Sequence, residues 1–240
     1  MPSTVETILG HLEAVDRERA VRLASSELLE QVQGLKAYQQ RRFSNTYADL
    51  LAMPRYAGAA RFFLDELYGP GDFSQRDAQF ARVVPALVRL FPRDVVAMVD
   101  TLVQLHALSE SLDSEMARHF GRDTIDAGAY ISAWQSTGRV ADREQQIALT
   151  LVVGRSLDEL TRKPLLRHSL RMMRGPARAS GLAALQQFLE SGFDTFLAMR
   201  GATDFLATVG MREQSLAAAL FAATALSGAG AFTKALGQLP

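Results

Sequence analysis

Almost every stretch of this chain repeats its apolar residues at the spacing of an α-helix. In 94-DVVAMVDTLVQLHALSESLDSEM-116, Met98, Leu102, Leu105, Leu112 and Met116 follow steps of three and four, with Ser109 filling the one missing place. Phe80, Val83, Val84, Leu87 and Phe91 share a helix face in 80-FARVVPALVRLF-91, as do Leu182, Leu185, Leu189, Phe193 and Phe196 in 182-LAALQQFLESGFDTFLAM-199. Such steps line one side of a 3.6-residue helix. Alternation with a period of two is sustained nowhere, and β-branched residues are scattered rather than clustered, which argues against strands. The chain therefore predicts an all-α fold, a single-domain multi-helix bundle of about ten helices joined by short turns.

Helix boundaries follow from the breaking and capping residues. Pro92 suits the first turn of a helix opening at Arg93 or Asp94. Gly121 and Gly138 are expected to close helices in the left-handed conformation. Ser74 with Asp77 approximates a capping box, Gly175-Pro176 divides two helices, and Thr203-Asp204 opens another. Pro85 is expected to kink its helix. Residues 1–45 are more polar and read as a helical N-terminal segment, an arm or a dimerisation element; 46–227 form the all-α core, and 228–240 a loosely ordered tail.

Composition narrows the function. The 240 residues carry 26 basic and 26 acidic side chains, and 48% are hydrophobic. Zero net charge argues against a specific nucleic-acid binder. There is no cysteine, so disulfides, thiolate metal sites and a cysteine nucleophile are excluded. The first residues lack the basic start and apolar run of a secretory signal. The most apolar window, 215-SLAAALFAATALSGAGAF-232, is too alanine-rich and too short for a membrane span. A cytoplasmic location is expected.

One segment departs from this balance. The run 162-RKPLLRHSLRMMRGPAR-178 holds Arg162, Lys163, Arg167, His168, Arg171, Arg174 and Arg178 and no acid. Arg167, Arg171 and Arg174 share a helix face beside a second face of Leu166, Leu170 and Met173, and Arg178 lies near the next helix start. Arg167, His168, Arg171, Arg174 and Arg178 are thus a candidate site for a small anionic ligand or an acidic protein partner. A solvated face, or neutralisation by acids elsewhere in the chain, is the structural alternative. A second candidate is the acidic corner Asp65, Glu66, Asp72 and Asp77 around the turn YGPGDF, which either aims carboxylates into a cleft or docks against the arginines.

The four histidines, His11, His106, His119 and His168, form no zinc-binding pair, so no metal site is predicted. His106 lies at the edge of an apolar face and is the one candidate cofactor contact, with haem as the cofactor it would serve; no cofactor is predicted outright. No nucleophile elbow, P-loop or dinucleotide motif occurs, and the reading leans away from an enzyme.

The runs FFLDELYGPGDFSQRDAQFARVVPALVRLFP and LDELTRKPLLRHSLRMMRGPARASGLAALQQFLESGFDTFLAM are similar to those of a family of proteobacterial all-helical proteins with no established activity. The similarity extends from about Tyr47 to Phe221. The resemblance implies a bacterial cytoplasmic protein and assigns no site residue. Two readings follow: a non-enzymatic module binding an anion or acidic partner through the arginine-rich helix, or a pocket-type sensor or carrier holding an apolar ligand or haem between helices.

Overall fold

The computed structural model describes residues 3–67, 71, 73–121, 124–223 and 235–240. These form α1 (Thr4–Leu23), α2 (Ser26–Thr46), α3 (Ala48–Ala52) and α4 (Ala57–Phe62), the last continuing into a π-helical turn at Phe63–Leu67. Next come α5 (Ser74–Leu90), α6 (Arg93–Ala117), α7 (Ala127–Thr137), α8 (Val140–Thr161), α9 (Pro164–Met172) and α10 (Arg174–Ala179). The chain ends with α11 (Ala183–Met199), α12 (Thr203–Ala222) and a 3-10 turn at Leu236–Gln238. The fold is all-α, and no strand occurs among the described residues. Twelve α-helices occur among the described residues, of which α3, α4 and α10, at five or six residues, are too short for a periodic signature.

Local chemistry sets most ends. Ser3 and Glu6 close a reciprocal capping box on α1, Ser25 accepts from Leu28 N at the start of α2, and Asp126 accepts from Ala129 N at the start of α7. Gly138 ends α7 in the left-handed region, at φ 62°, and α6 opens directly after Pro92. Three expectations are corrected. The α6 cap is Arg118 in right-handed conformation, so Gly121 caps nothing there. The α5 N-cap is Phe73, because the Asp77 side chain turns into the protein instead of back toward Ser74. The break between α9 and α10 falls at Met173, leaving Gly175 and Pro176 inside the first turn of α10, where a missing N–H costs nothing. Pro85 lies within α5 on its exposed side, and the helix continues through it to Leu90.

Three apolar clusters build the interior. One joins the first half of α2 to the end of α6, α7 and the end of α12, around Leu35, Tyr38, Met116 and Trp134. A second joins α3, α4, α11 and α12 around Tyr47, Phe63, Phe196 and Phe205. The third joins α1, α5 and the first half of α6 around Ile8, Val84, Val99 and Val103. Helices α1 and α2 contribute to these clusters: Ile8, Val15, Leu35 and Tyr38 are completely buried. In the tail, Leu236 is buried against the first cluster, while residues 228–234 lie outside the described set.

Helices α8 and α12 cross closely because glycines face the contact. A Cβ on Gly154 would come within 2.4 Å of Leu206 Cδ2 and 3.4 Å of its Cγ, and a Cβ on Gly210 within 3.0 Å of Leu151 Cδ1. Leu206 is itself buried and cannot swing clear of all these contacts. Gly154→Val is therefore expected to destabilise the fold by about 1–3 kcal/mol through overpacking, read as a lower denaturant midpoint at unchanged slope. An unchanged midpoint would mean the two helices do not approach this closely.

Candidate interior binding site

Helix α6 changes character halfway along one face. Its inward side runs Val96, Val99 and Val103 and then, on the same spacing, His106, Ser109, Glu110 and Asp113. Facing helices supply matching polar groups: Arg22 from α1, Lys36, Gln39 and Arg42 from α2, Arg143 and Gln146 from α8, and Glu213 from α12. Charges removed from water must be paired and hydrogen-bonded to persist, and most of these groups meet a partner. Glu110 accepts from Arg22 Nη1 and from Lys36 Nζ, the latter at 2.6 Å, while Arg22 also donates to Ser114 Oγ at 2.8 Å. Arg42 donates to Glu213 Oε1 at 2.5 Å, and the Tyr47 hydroxyl donates to the same oxygen at 2.7 Å. Gln39 donates to Asp113 Oδ1 at 3.2 Å, and Gln146 donates to Ser109 Oγ at 2.8 Å. Arg143 stacks its guanidinium over the Trp134 ring at 4.1 Å.

Most of this array, Arg22 apart, lines one end of a cavity of about 410 Å³ that is partly open to the surface. The opposite end is apolar, walled by Phe80, Leu87, Met98 and Leu102 and roofed by Leu166, Leu170 and Met173 of α9 and its junction with α10. That volume falls within the range of small-molecule sites, and a mostly apolar wall with a few fixed polar groups is their usual lining.

His106 stands at the boundary between the two ends. Its Nε2 lies 2.8 Å from Asp77 Oδ2, and Arg19 Nη2 donates to the same carboxylate oxygen at 2.6 Å. A haem iron taking Nε2 would have to displace Asp77. The structure separates the acidic corner: Asp65 is exposed, Glu66 takes Arg76, Asp77 is buried on His106 and Arg19, and Asp72 lies outside the described residues. None of the described members docks on the arginine block. Arg76 is instead clasped between the Phe73 and Phe188 rings, each 4.2 Å away, and burial pushes its guanidinium below the usual value. Among the described residues no group of three or more potential metal ligands forms.

The arginine block is partly neutralised by its own chain. Arg174 makes a two-pronged bond to Glu190 at 2.7 and 2.8 Å, and Arg167 reaches Asp194 at 3.2 Å. Arg162 reaches Asp158 at 2.6 Å and Lys163 pairs with Asp94. Glu190 and Asp194 are the first acids after the block, one helical turn apart on α11. Arg171, Arg178 and His168 are exposed and have no ion pair among the described residues. Of the residues around this cavity, sequence reasoning singled out His106, as a possible cofactor contact, and Asp77, as part of an acidic corner, and did not single out Lys36, Gln39, Arg42, Glu110, Asp113, Arg143 or Glu213. The available signal was Ser109, the polar residue in an otherwise apolar series, with His106, Glu110 and Asp113 on its flank.

Electrostatics ties the site to stability. Burial by itself would raise the Glu110 carboxyl, but Lys36 and Arg22 outweigh it and bring the group from an ordinary 4.5 down to about 2. Burial likewise opposes, and His106 and Arg19 outweigh it, in lowering Asp77 to about 2. A carboxyl depressed on folding stabilises fully above its unfolded value and loses that contribution as pH falls through the folded one. Acid titration is expected to remove on the order of 3 kcal/mol at Glu110 alone, at about 1.4 kcal/mol per pH unit, across pH 4.5 to 2. Chemical denaturation over that range checks it, and Glu110→Gln should flatten the pH dependence while lowering stability at neutral pH.

No curated protein and no solved structure matches this chain. A family model matches residues 18–226, reaching further toward the N-terminus than Tyr47 and taking in the end of α1, with the buried Arg22, and all of α2. The chain belongs to the family described as Domain of unknown function (DUF8198).

Proposed function

We propose that this protein is a non-enzymatic sensor or carrier that holds a small, largely apolar molecule in its interior cavity. The observation that carries this reading is the cavity of about 410 Å³, apolar at one end and bounded by fixed charges at the other. Apolar side chains normally close on each other to the density of a crystal. A cleft of this size reaching into a helical core suits a small ligand. The roof supports the same reading: no residue of α9 is buried, and Leu165 and Met172 are largely exposed. Elements with so little buried surface open locally at low cost. The resemblance to proteobacterial chains supports a bacterial, cytoplasmic protein.

Nile red reports the reading directly. It is expected to bind saturably at one site with a rise in emission, and Leu102→Trp, which fills the cavity, is expected to weaken it at least about tenfold while costing about 1–3 kcal/mol of stability by overpacking. Equal binding by a folded Leu102→Trp protein, or no saturable binding by the parent chain, would remove the proposal.

A second reading keeps the arginine-rich helix as a docking face for a small anion or an acidic protein, self-association included. What favours it is that Arg171, Arg178 and His168 are exposed and unpaired among the described residues. Binding to an oligoglutamate peptide is expected to weaken with added salt and to be lost in Arg171→Glu/Arg178→Glu. The denaturation midpoint should move by no more than about 0.5 kcal/mol, as for surface changes. Unfolding of the double variant would make these arginines structural.

A further inference from the structure

Helix α9 turns apolar side chains outward. Its sequence is PLLRHSLRM, and Leu166 and Leu170 are the two leucines that rest, partly buried, over the cavity. Leu165 is instead 81% exposed and Met172 66% exposed. They are seven residues apart and share a face, with the exposed His168 between them. Met173, at the break before α10, is exposed as well. Lys163 pairs with Asp94, which brings the start of α9 to the α5–α6 junction, where Leu90 and Phe91 are also exposed. Among the described residues eleven large apolar side chains stand exposed, and five of them belong to these two short segments. Single exposed apolar residues are ordinary, but a gathering of them marks a contact surface.

The unanswered charge on the same segments is of one sign. No acid occurs between Glu159 and Glu190. The acids that do answer the block are already committed: Asp158 to Arg162, Asp94 to Lys163, Asp194 to Arg167 and Glu190 to Arg174. Arg171 and Arg178 are exposed without an ion pair among the described residues, and so are Arg89 and Arg93, which flank Leu90 and Phe91. An acidic peptide would engage the arginines and gain nothing from Leu165 and Met172. A second copy laid face to face would set arginine against arginine. A bilayer surface, with anionic head groups above acyl chains, complements both sets of side chains at once.

We propose that α9 and the adjoining α5–α6 junction form a peripheral contact for an anionic phospholipid surface. Leu165 and Met172 enter the head-group boundary, and Arg171 and Arg178 meet the phosphates beside them. Guanidinium groups suit that role because they donate two parallel hydrogen bonds to phosphate oxygens. At nine residues, α9 is about 13 Å long, far too short to cross a bilayer, so it lies along the surface. Contact on this scale is reversible, each arginine near such a surface being worth about a fivefold gain in affinity. The inference shares its arginines with the second reading above and goes beyond it in giving the outward apolar side chains a role. It does not depend on the cavity holding a ligand.

Cosedimentation of the full chain with vesicles tests it. Vesicles of phosphatidylglycerol and phosphatidylcholine in equal parts are expected to bind at least about tenfold more tightly than phosphatidylcholine alone, and less tightly as salt is added. Leu165→Gln/Met172→Gln keeps every charge and alters only exposed side chains, so helical content should be retained while affinity for the anionic vesicles falls at least about tenfold. In Leu165→Trp, read against the parent chain, the added emission should move to shorter wavelength with anionic vesicles and be quenched by brominated acyl chains. Equal binding to the two vesicle compositions, undiminished binding by Leu165→Gln/Met172→Gln, or a Leu165→Trp emission that does not move overturns the proposal. Binding of oligoglutamate without binding of the anionic vesicles also overturns it and gives the arginines to an acidic protein.

Discussion

Glu110 held between Arg22 and Lys36 is the contact on which the interior depends. Each of these side chains comes from a different helix, α6, α1 and α2, and the carboxylate and the guanidinium are both almost fully buried. Moving such ions out of water costs several kcal/mol each, and only complete pairing offsets it. The pairing is complete because Arg22 has further acceptors in Ser114 Oγ and the Glu110 carbonyl, so its fork is satisfied on three sides. Three helices are thereby fixed in register by one carboxylate. Because these groups answer each other, the charged wall of the cavity is rigid before anything enters it, and a rigid wall loses little entropy on binding.

That arrangement explains which parts of the molecule were legible in the sequence. The helices were, because their apolar positions recur at three and four, and the C-cap at Gly138 and the start after Pro92 follow from single residues. The placement of α1 and α2 was not. On α2 the buried face reads Leu28, Val32 and Leu35 and then Gln39, Arg42 and Thr46, with the spacing unbroken and the residue type changed. A reading that counts only apolar residues sees the second half of such a helix as surface, and residues 1–45 as an arm. Pairing makes the difference, and the partners are far along the chain: Lys36 meets Glu110 across 74 positions and Arg42 meets Glu213 across 171. No local window contains both members.

The converse holds for the arginine block. Its concentration of cations is the most visible charge feature of the sequence, yet Arg167 and Arg174 meet Asp194 and Glu190 on α11, the next long helix. A helix followed by an acidic counterpart is a hairpin held together at its surface. Exposed pairs of this kind contribute only about 0–1 kcal/mol each. They hold α9 loosely, and Leu166 and Leu170 are only partly buried beneath it. The conspicuous charges therefore position a weakly anchored roof, while the inconspicuous ones, scattered over five helices, form the wall below it.

Wall and roof are related through α6. From Met98 to Asp113 this helix advances roughly 22 Å at 1.5 Å per residue, and along that length the side it presents to the cavity passes from Met98 and Leu102 through His106 to Glu110 and Asp113. One straight element thus imposes a polarity gradient parallel to its own axis. Helix α9 covers the apolar end of that gradient, and α2, α7 and α12 close the charged end. A molecule apolar along its length and polar at one tip has a single favourable orientation here, because reversing it would place its polar tip against leucine and methionine and strand its apolar end among paired ions. The orientation of the proposed ligand would therefore be set by the residue order on α6, before any specific hydrogen bond to it is considered.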